Sequence, residues 1–534
     1  MKNIFVFFIT LSLIVLSSSR CARKGSPNGG PKDSLSPVMI TAFPAYKATF
    51  FKEKKIKLEF DEYIKFKNMT KQLIISPPLK QMPIIKPQGT ASKHISIEIL
   101  DTLKENTTYS INFGNSIIDN NEGNKLGSFK YVFSTGSYVD SLEIFGDIID
   151  AFDRETESNI SVLLYEINEN YTDSIVFKEK PTYVTNTLDT TNFNITNIKN
   201  GKYQLIALED FNNNFIYNPK QDKIAYLSEP LDLPTDSIAI PLHLFKEELA
   251  FKVLRPLENK EGKIVFGYEG KKEPIDIELL TKKPDSFRSQ ISIERGKDTL
   301  NYWYTAFDTD SLQFKVTGKN LDTVFTVKTR TSKIDTLVWD TPIKSTLHPK
   351  DTFHILTNLP LDSIDFNRIN IVDKDTLPVK FETFLDQSKT KLNIHFEKTR
   401  NNTYQLDMLP NAFVGFYGST HDTLQYNLKT LDIEDYGILE LSINTQSTEN
   451  LIVDLTTIDG ELIERQLLKQ KRNIVFNDLQ PETYFVRIIE DKNKNDKWDT
   501  GNFLNKIQPE KVQYFSKELK LRANWTISEI VPFD

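Results

Sequence analysis

The feature that most constrains this chain is a stretch that occurs twice. The first copy reads NFNITNIKNGKYQLIALEDFNNNFIY at 192–217, and the second reads NIVFNDLQPETYFVRIIEDKNKNDKW at 473–498. Each copy predicts two short alternating strands joined by a turn and followed by a polar loop of Asp and Asn. Because apolar, aromatic and acidic positions keep their spacing between such different sequences, the repeat predicts a duplicated structural unit.

In both copies the loop carries oxygen-bearing side chains on alternate residues. The matched positions are Asp210, Asn212 and Asn214 in the first copy and Asp491, Asn493 and Asn495 in the second; Glu229 and Glu510 each follow their Asp by nineteen residues, Asp499 lies close to the second loop, and Asp222 is a further option in the first. Such alternation is how calcium loops gather six to eight oxygen ligands. These residues are therefore candidate calcium ligands, although the chain shows no other cofactor motif.

The second interpretation of the loops needs no metal. Phe215 and Asp496 occupy the position at which an EF-hand has glycine, and no glutamate falls at its twelfth position. The loops are therefore not EF-hands, and Asx hydrogen bonds to the backbone can hold such a turn without an ion. Both interpretations remain open from the sequence.

The N-terminus carries an export signal. An apolar run from Ile4 to Leu16 follows Lys2, and it is too short to span a bilayer but typical of a signal peptide, here 1–20. Cys21, the only cysteine of the chain, follows three serines and Arg20. This arrangement resembles the lipidation site of bacterial lipoproteins, which implies acyl chains on Cys21 that hold the protein to a membrane. The alternative is a plain secreted protein with an incidental cysteine.

The rest of the chain alternates apolar and polar residues without helical periodicity, as in KIKLEF at 55–60 and TTYSINFG at 107–114. The pattern predicts an all-β chain. Phe43-Pro44, LEFDEYI at 58–64 and LKENTTYSINF at 103–113 resemble the bacterial Ig-like domain of S-layer and Bacteroidetes surface proteins. The repeat-bearing segments resemble transthyretin-like or carboxypeptidase-regulatory sandwiches.

These patterns predict tandem Ig-like and transthyretin-like β-sandwiches in an elongated multidomain array. The predicted order is a tether (21–36), an Ig-like domain (37–136), a transthyretin-like sandwich (137–247), an unassigned sandwich (248–345), a divergent Ig-like domain (346–431) and a second transthyretin-like sandwich (432–534). The order indicates duplication of a two-domain pair.

Catalytic chemistry is not expected. The six histidines are scattered, and no nucleophile, zinc or phosphate-binding motif is present. A net charge of −7 without a basic stripe argues against nucleic acid as a partner, and no small-molecule ligand is expected. An enzyme with an unrecognised site near Tyr302-Trp303-Tyr304 is a minor alternative.

As a whole the chain resembles the Ig-like lipoproteins of Bacteroidetes, whose tether is similar to GSPNGGPKD at 25–33. The anchor, the tether, the repeats and the lack of catalytic motifs together predict a non-enzymatic lipoprotein, held in the outer membrane through Cys21, that acts as a scaffold for an envelope protein partner, with a role accessory to an outer-membrane machine as one form of that hypothesis. The alternative is a surface glycan-binding or adhesive module with calcium-stabilised loops. Whether the chain faces the periplasm or the outside stays open.

Overall fold

The computed structural model describes residues 33–234, 239–330, 333–469 and 472–533. These residues form two compact units: the first comprises the described residues up to Glu143 with Thr182–Leu188 and Ile195–Asn200, and the second comprises the remainder. In the described parts, helix is limited to α1 (Met69–Gln72) and three 3-10 turns (Asp173–Phe177, Phe366–Arg368, Ile433–Asp435). The all-β prediction is therefore confirmed.

The first unit contains a two-sheet sandwich. Its strands are β1 (Met39–Phe43), β2 (Lys55–Phe66), β3 (Ile74–Ser76), β4 (Ile84–Lys86), β5 (Ser92–Glu98), β6 (Thr108–Gly114), β7 (Ile117–Asp119) and β8 (Phe129–Ser134). One sheet has the order β1-β2-β5-β4, with β7 also paired to β2, and the other has the order β3-β6-β8. Strand β2 shows why the alternation folds this way, because Ile56, Leu58 and Phe60 are buried while Lys55 and Lys57 face water.

The segment with the first copy of the repeat supplies eight strands. They are β9 (Leu142–Asp150), β10 (Ser161–Glu166), β11 (Tyr183–Asn186), β12 (Asn192–Ile198), β13 (Gly201–Glu209), β14 (Lys223–Tyr226), β15 (Leu231–Leu233) and β16 (Ile240–Leu244). Strand β13 pairs antiparallel with β10, β14 and β15. Strand β16 runs parallel to β9.

The middle segment and the next one share apolar contacts. The middle strands are β17 (Lys252–Val253), β18 (Leu257–Lys260), β19 (Lys263–Glu269), β20 (Ile275–Leu279), β21 (Ser289–Ile293), β22 (Thr299–Tyr304), β23 (Ser311–Gly318) and β24 (Leu321–Lys328). The following strands are β25 (Trp339–Asp340), β26 (Phe353–Thr357), β27 (Leu361–Ile364), β28 (Ile369–Asp373), β29 (Phe381–Leu385), β30 (Lys391–Phe396), β31 (Asn402–Met408), β32 (Phe413–Gly415) and β33 (Leu424–Thr430). Tyr302, Trp303 and Tyr304 are all buried, and Trp303 belongs to the apolar core of the second of these segments. The aromatic run considered as an enzyme site is thus core packing.

The last segment repeats the strand arrangement of the segment that contains the first copy. From here on, the first copy and the second copy denote these whole segments, 137–247 and 432–534. Its strands are β34 (Gly437–Thr445), β35 (Asn450–Thr456), β36 (Leu462–Leu468), β37 (Asn473–Leu479), β38 (Thr483–Asp491), β39 (Val512–Tyr514), β40 (Leu519–Lys520) and β41 (Thr526–Phe533). Strand β38 pairs with β35, β39 and β40, as β13 does with β10, β14 and β15. Strand β41 runs parallel to β34, as β16 does to β9. The two copies therefore share one strand arrangement.

Candidate functional site

The polar loop of the second copy is closed by its own backbone. Asp491 is fully buried at the end of β38, where its Oδ1 accepts the backbone N–H of Asn495 at 3.1 Å and its Oδ2 accepts that of Asp496 at 3.0 Å. Asp496 has a φ of 61°, the left-handed conformation in which calcium loops place glycine. The chain thus makes the tight turn of such a loop with a residue other than glycine, and the carboxylate of Asp491 holds that turn together.

Two further carboxylates accept hydrogen bonds from the rest of this loop. The side-chain amides of Asn493 and Asn495 both donate to Asp499 Oδ2 at 2.6 Å. Glu510 accepts the backbone N–H of Lys492 on Oε1 at 2.8 Å and that of Asp499 on Oε2 at 3.1 Å. Burial raises the pKa of the Glu510 carboxyl, and the nearby carboxylate of Asp499 acts in the same direction. The acidic side chains of the loop are therefore bonded within it.

The first copy uses the same design with different residues. Asp210 Oδ2 accepts the backbone N–H of Phe215 at 2.6 Å, and Phe215 has a φ of 62°. Asp222 accepts the backbone N–H of Phe211 at 3.1 Å and that of Asn218 at 2.7 Å. These two N–H groups lie one and eight residues after the Asp, as do the two that Glu510 accepts in the second copy.

The correspondence of Glu229 with Glu510 was wrong. Lys223 pairs with Glu209, and the backbone of Lys511 bonds to that of Glu490, so the residues before these lysines, Asp222 and Glu510, are equivalent. Glu229 is exposed and lies beyond β14. Twelve residues separate Asp210 from Asp222 and nineteen separate Asp491 from Glu510, so the second copy carries seven more residues, and an equal count along the chain selects the wrong acid.

The carboxylates that close the loops accept backbone and side-chain N–H groups. Across the described ranges, no group of three or more His, Cys, Asp or Glu side chains is placed to hold a metal ion. The matched aromatic residues pack beside the loops. The centre of the Tyr217 ring lies 5.3 Å from that of Phe177, and the indole N–H of Trp498 donates to the Glu510 carbonyl at 3.0 Å. Asp210 Oδ1 is buried and has no hydrogen-bond partner in the part of the chain that the structure describes.

The additional residues of the second loop dock onto the first copy. Thr500 Oγ1 donates to the Lys246 carbonyl at 2.6 Å, and the backbone N–H of Phe503 donates to Glu247 at 2.5 Å. Phe503 is fully buried, with its ring 5.2 Å from that of Tyr226. At Gly501 a Cβ would come within 2.6 Å of the Phe245 ring, so this approach requires glycine.

A second set of contacts between the copies involves a cluster of charged residues. Asp454 is fully buried and binds Arg487 Nη2 at 2.7 Å and Arg465 Nε at 2.6 Å. The Arg487 guanidinium stacks 4.1 Å from the centre of the Phe152 ring, which belongs to the first copy. Tyr514 of the second copy completes the contact by donating its hydroxyl to the Phe152 carbonyl at 3.1 Å.

In the first copy, apolar residues occupy the positions equivalent to Asp454 and Arg487. Leu163 pairs with Ile206 between β10 and β13, in the register in which Asp454 pairs with Arg487 between β35 and β38. Both apolar side chains are fully buried. Sequence analysis missed this cluster and the docked insertion; the only available signal was a charge in the otherwise apolar LIVDLT at 451–456.

One module of the chain matches a known family. Residues 33–135 match the bacterial Ig-like domain. The resemblance inferred from Phe43-Pro44 and the strands that follow is thereby confirmed for this module. No curated protein matches the chain.

Solved structures align over long stretches but weakly. The S-layer protein rSbsC is 11% identical, with 91% of this chain and 68% of that one covered and a TM-score of 0.16. BcpA, the major pilin subunit of Bacillus cereus, is 11% identical, with 73% and 99% covered and a TM-score of 0.14. The Bacillus anthracis TIE protein is 9% identical, with 95% and 76% covered and a TM-score of 0.15. TM-scores this low support no argument about arrangement or function.

The proposed anchor is not part of the described structure. The leader and Cys21 lie outside the described residues, so lipidation remains a prediction from the sequence. Within the described residues, no helix has both the length and the apolar character needed to cross a membrane.

Proposed function

We propose that this chain is a non-enzymatic, lipid-anchored scaffold of the bacterial cell envelope that presents β-sandwich modules to a protein partner. The leader with its single cysteine supports an anchored and exported chain, and the bacterial Ig-like match supports a module used for spacing and binding. The proposal concerns the outer membrane, because the resemblance to Bacteroidetes lipoproteins points there.

The observation that carries the proposal is the bonded contact between the two copies. Phe503, buried against Tyr226, and the Arg487–Phe152 stack fix two modules against each other although more than two hundred residues separate them in sequence. The insertion that follows the second polar loop takes part in this contact through Thr500 and Phe503. A preassembled pair of modules is what a scaffold requires, since less entropy is lost when a partner binds a rigid surface.

The test is recovery of the intact lipoprotein from detergent-solubilised envelopes. We expect a stable complex that contains an outer-membrane protein. The Cys21→Ala variant keeps every described contact but loses the acylation site, so a high-salt wash should release it from the membrane fraction, unlike the parent chain, and it should lose the complex. Recovery of polysaccharide without any protein partner, or binding abolished by EDTA, would instead support the surface adhesive module.

A further inference from the structure

One end of the first Ig-like module exposes large apolar side chains. Phe43 is 69% exposed and Phe50 is 63% exposed, at the two sides of the loop that joins β1 to β2. Tyr46, within the loop, is 46% exposed. Phe50 has a φ of 53°, a conformation that disfavours a bulky residue, and it is pinned there by its N–H, which donates to the Gly136 carbonyl at 2.8 Å. The fold thus holds an aromatic side chain in water.

Two neighbouring loops extend this apolar surface. The backbone N–H of Ile99 donates to the Lys54 carbonyl at 2.8 Å, which places Leu100, 48% exposed, beside the same end. Asp101 then holds the Gln81 N–H at 3.0 Å, next to Met82, which is 60% exposed. Large exposed apolar side chains that gather at one end of a module indicate an interaction site.

Lysines surround these side chains. The exposed set is Lys47, Lys52, Lys54, Lys55 and Lys57. Lys57 lies opposite Phe43 in the β1–β2 register, and the Lys47 ammonium lies 5.7 Å from the centre of the Tyr46 ring. Of the five, only Lys55 forms an ion pair within the described residues, with Glu98 at 3.6 Å. We call these lysines, with Phe43, Tyr46, Phe50, Met82 and Leu100, the basic–aromatic end.

The opposite end of the module is acidic. Burial raises the pKa of Glu62, and the carboxylates of Asp119, Asp61, Asp33 and Glu122 raise it further. The described chain begins at this acidic end, where the Asp33 carbonyl accepts a hydrogen bond from the side-chain amide of Asn124. The chain therefore enters the module at the end opposite the basic–aromatic end.

We propose that the basic–aromatic end docks on the surface of an anionic lipid bilayer. Lysines near such a surface are attracted by the anionic headgroups, and aromatic and aliphatic side chains enter the interface between headgroups and acyl chains. Because Asp33 and Ser36 are bonded to the module, only the Gly- and Pro-rich stretch from Cys21 to Lys32 is left to reach the anchor, and its twelve residues can span at most roughly 40 Å. That reach is about the extended length of the 12-residue strand β2, so it allows the basic–aromatic end to meet the bilayer that holds the anchor. This inference goes beyond the scaffold role and does not depend on it.

The experiment measures vesicle binding without the anchor. The mature chain with Cys21→Ser, free of leader and acyl groups, is sedimented with large unilamellar vesicles of phosphatidylcholine containing a quarter phosphatidylglycerol, and with pure phosphatidylcholine. We expect binding to the anionic vesicles that weakens in high salt. Phe43→Ser with Phe50→Ser should lower the affinity at least tenfold, as should Lys52→Gln with Lys54→Gln and Lys57→Gln.

Ile40→Ser is the matched control, because Ile40 is 63% exposed on β1 of the same module but lies outside the basic–aromatic end. It should bind like the parent chain. No binding to anionic vesicles, equal binding by the aromatic variant, or equal loss in the control would overturn the proposal. Self-association that the aromatic variant abolishes, with vesicle binding unchanged, would assign this end to a second copy instead. None of these outcomes bears on the envelope complex, so the two proposals fail separately.

Discussion

The buried Asp454 cluster offers a direct test of how the two copies differ. Asp454 is fully buried and Arg487 nearly so, at 2.7 Å from each other. Asp454→Leu removes the only carboxylate bonded to Arg487 among the described residues and leaves its guanidinium uncompensated. Breaking a buried ion pair in this way costs about 3–5 kcal/mol, whereas Arg465, 31% exposed, can turn to water.

The first copy indicates which second substitution should restore the stability that Asp454→Leu removes. Asp454→Leu combined with Arg487→Ile installs the pair that Leu163 and Ile206 form at the equivalent register. Replacement of a buried ion pair by well-packed apolar residues is often neutral or stabilising. The stack of Arg487 on Phe152 is lost, at a cost of about 0.5–2 kcal/mol. We therefore expect the double variant to lie within about 2 kcal/mol of the parent chain.

The assay is hydrogen exchange read by mass spectrometry on peptides of β38, because a chain of several modules does not unfold in one step. Peptides of β13, in the first copy, serve as the internal reference and should not change. A double variant as destabilised as Asp454→Leu alone would refute the argument that the buried charge is the cause. A single variant that costs less than about 1 kcal/mol would show that the cluster is already solvated.

Three further predictions concern other parts of the chain. Gly501→Ala should release the docked insertion, because the new Cβ collides with Phe245, and exchange at 499–508 should rise while β38 stays protected. Although burial raises it, hydrogen bonds from Lys297 and Asn301 lower the pKa of Glu294 to about 2, so its stabilisation is present above pH ~4.5 and lost as pH falls towards 2. The difference in amide protection of β22 between the parent chain and Glu294→Gln, measured by the same hydrogen exchange, should disappear over that range. For the polar loops, we expect EDTA and added calcium to leave the thermal midpoint within about 1 °C, and a shift of about 4 °C or more would establish a bound ion.

Much of the fold could be predicted from the sequence because alternation is a local signal. In β2, Ile56, Leu58 and Phe60 alternate with charged or polar residues, and the side-chain period of two leaves only one face for the core. The positions of the loops followed from the same logic, since Asp and Asn favour turns. Local patterns in the sequence were therefore sufficient to predict the strands and the positions of the polar loops.

The partners of the loop residues could not be predicted in the same way. Which acid accepts the N–H groups of a loop depends on the strand register across the sheet. Because the second loop is seven residues longer than the first, counting along the chain selects Glu229, whereas the register selects Asp222. Asp454 presents the same difficulty, because a charge in an apolar strand is interpretable only when the opposite residue on the next strand is known. Both errors concern pairs that are distant in sequence, where spacing along the chain carries no information.

The two copies differ at the places where they touch each other. The additional residues of the second loop carry Phe503 and Gly501 into the first copy, and Arg487 replaces an isoleucine at the position that stacks on Phe152. Away from the contact, the strand pairing and the closing of the loops are the same. A duplicated module that changes mainly on the face turned towards its twin gains a specific neighbour without losing its own core. If the proposed scaffold role is correct, release of the insertion should therefore weaken partner binding.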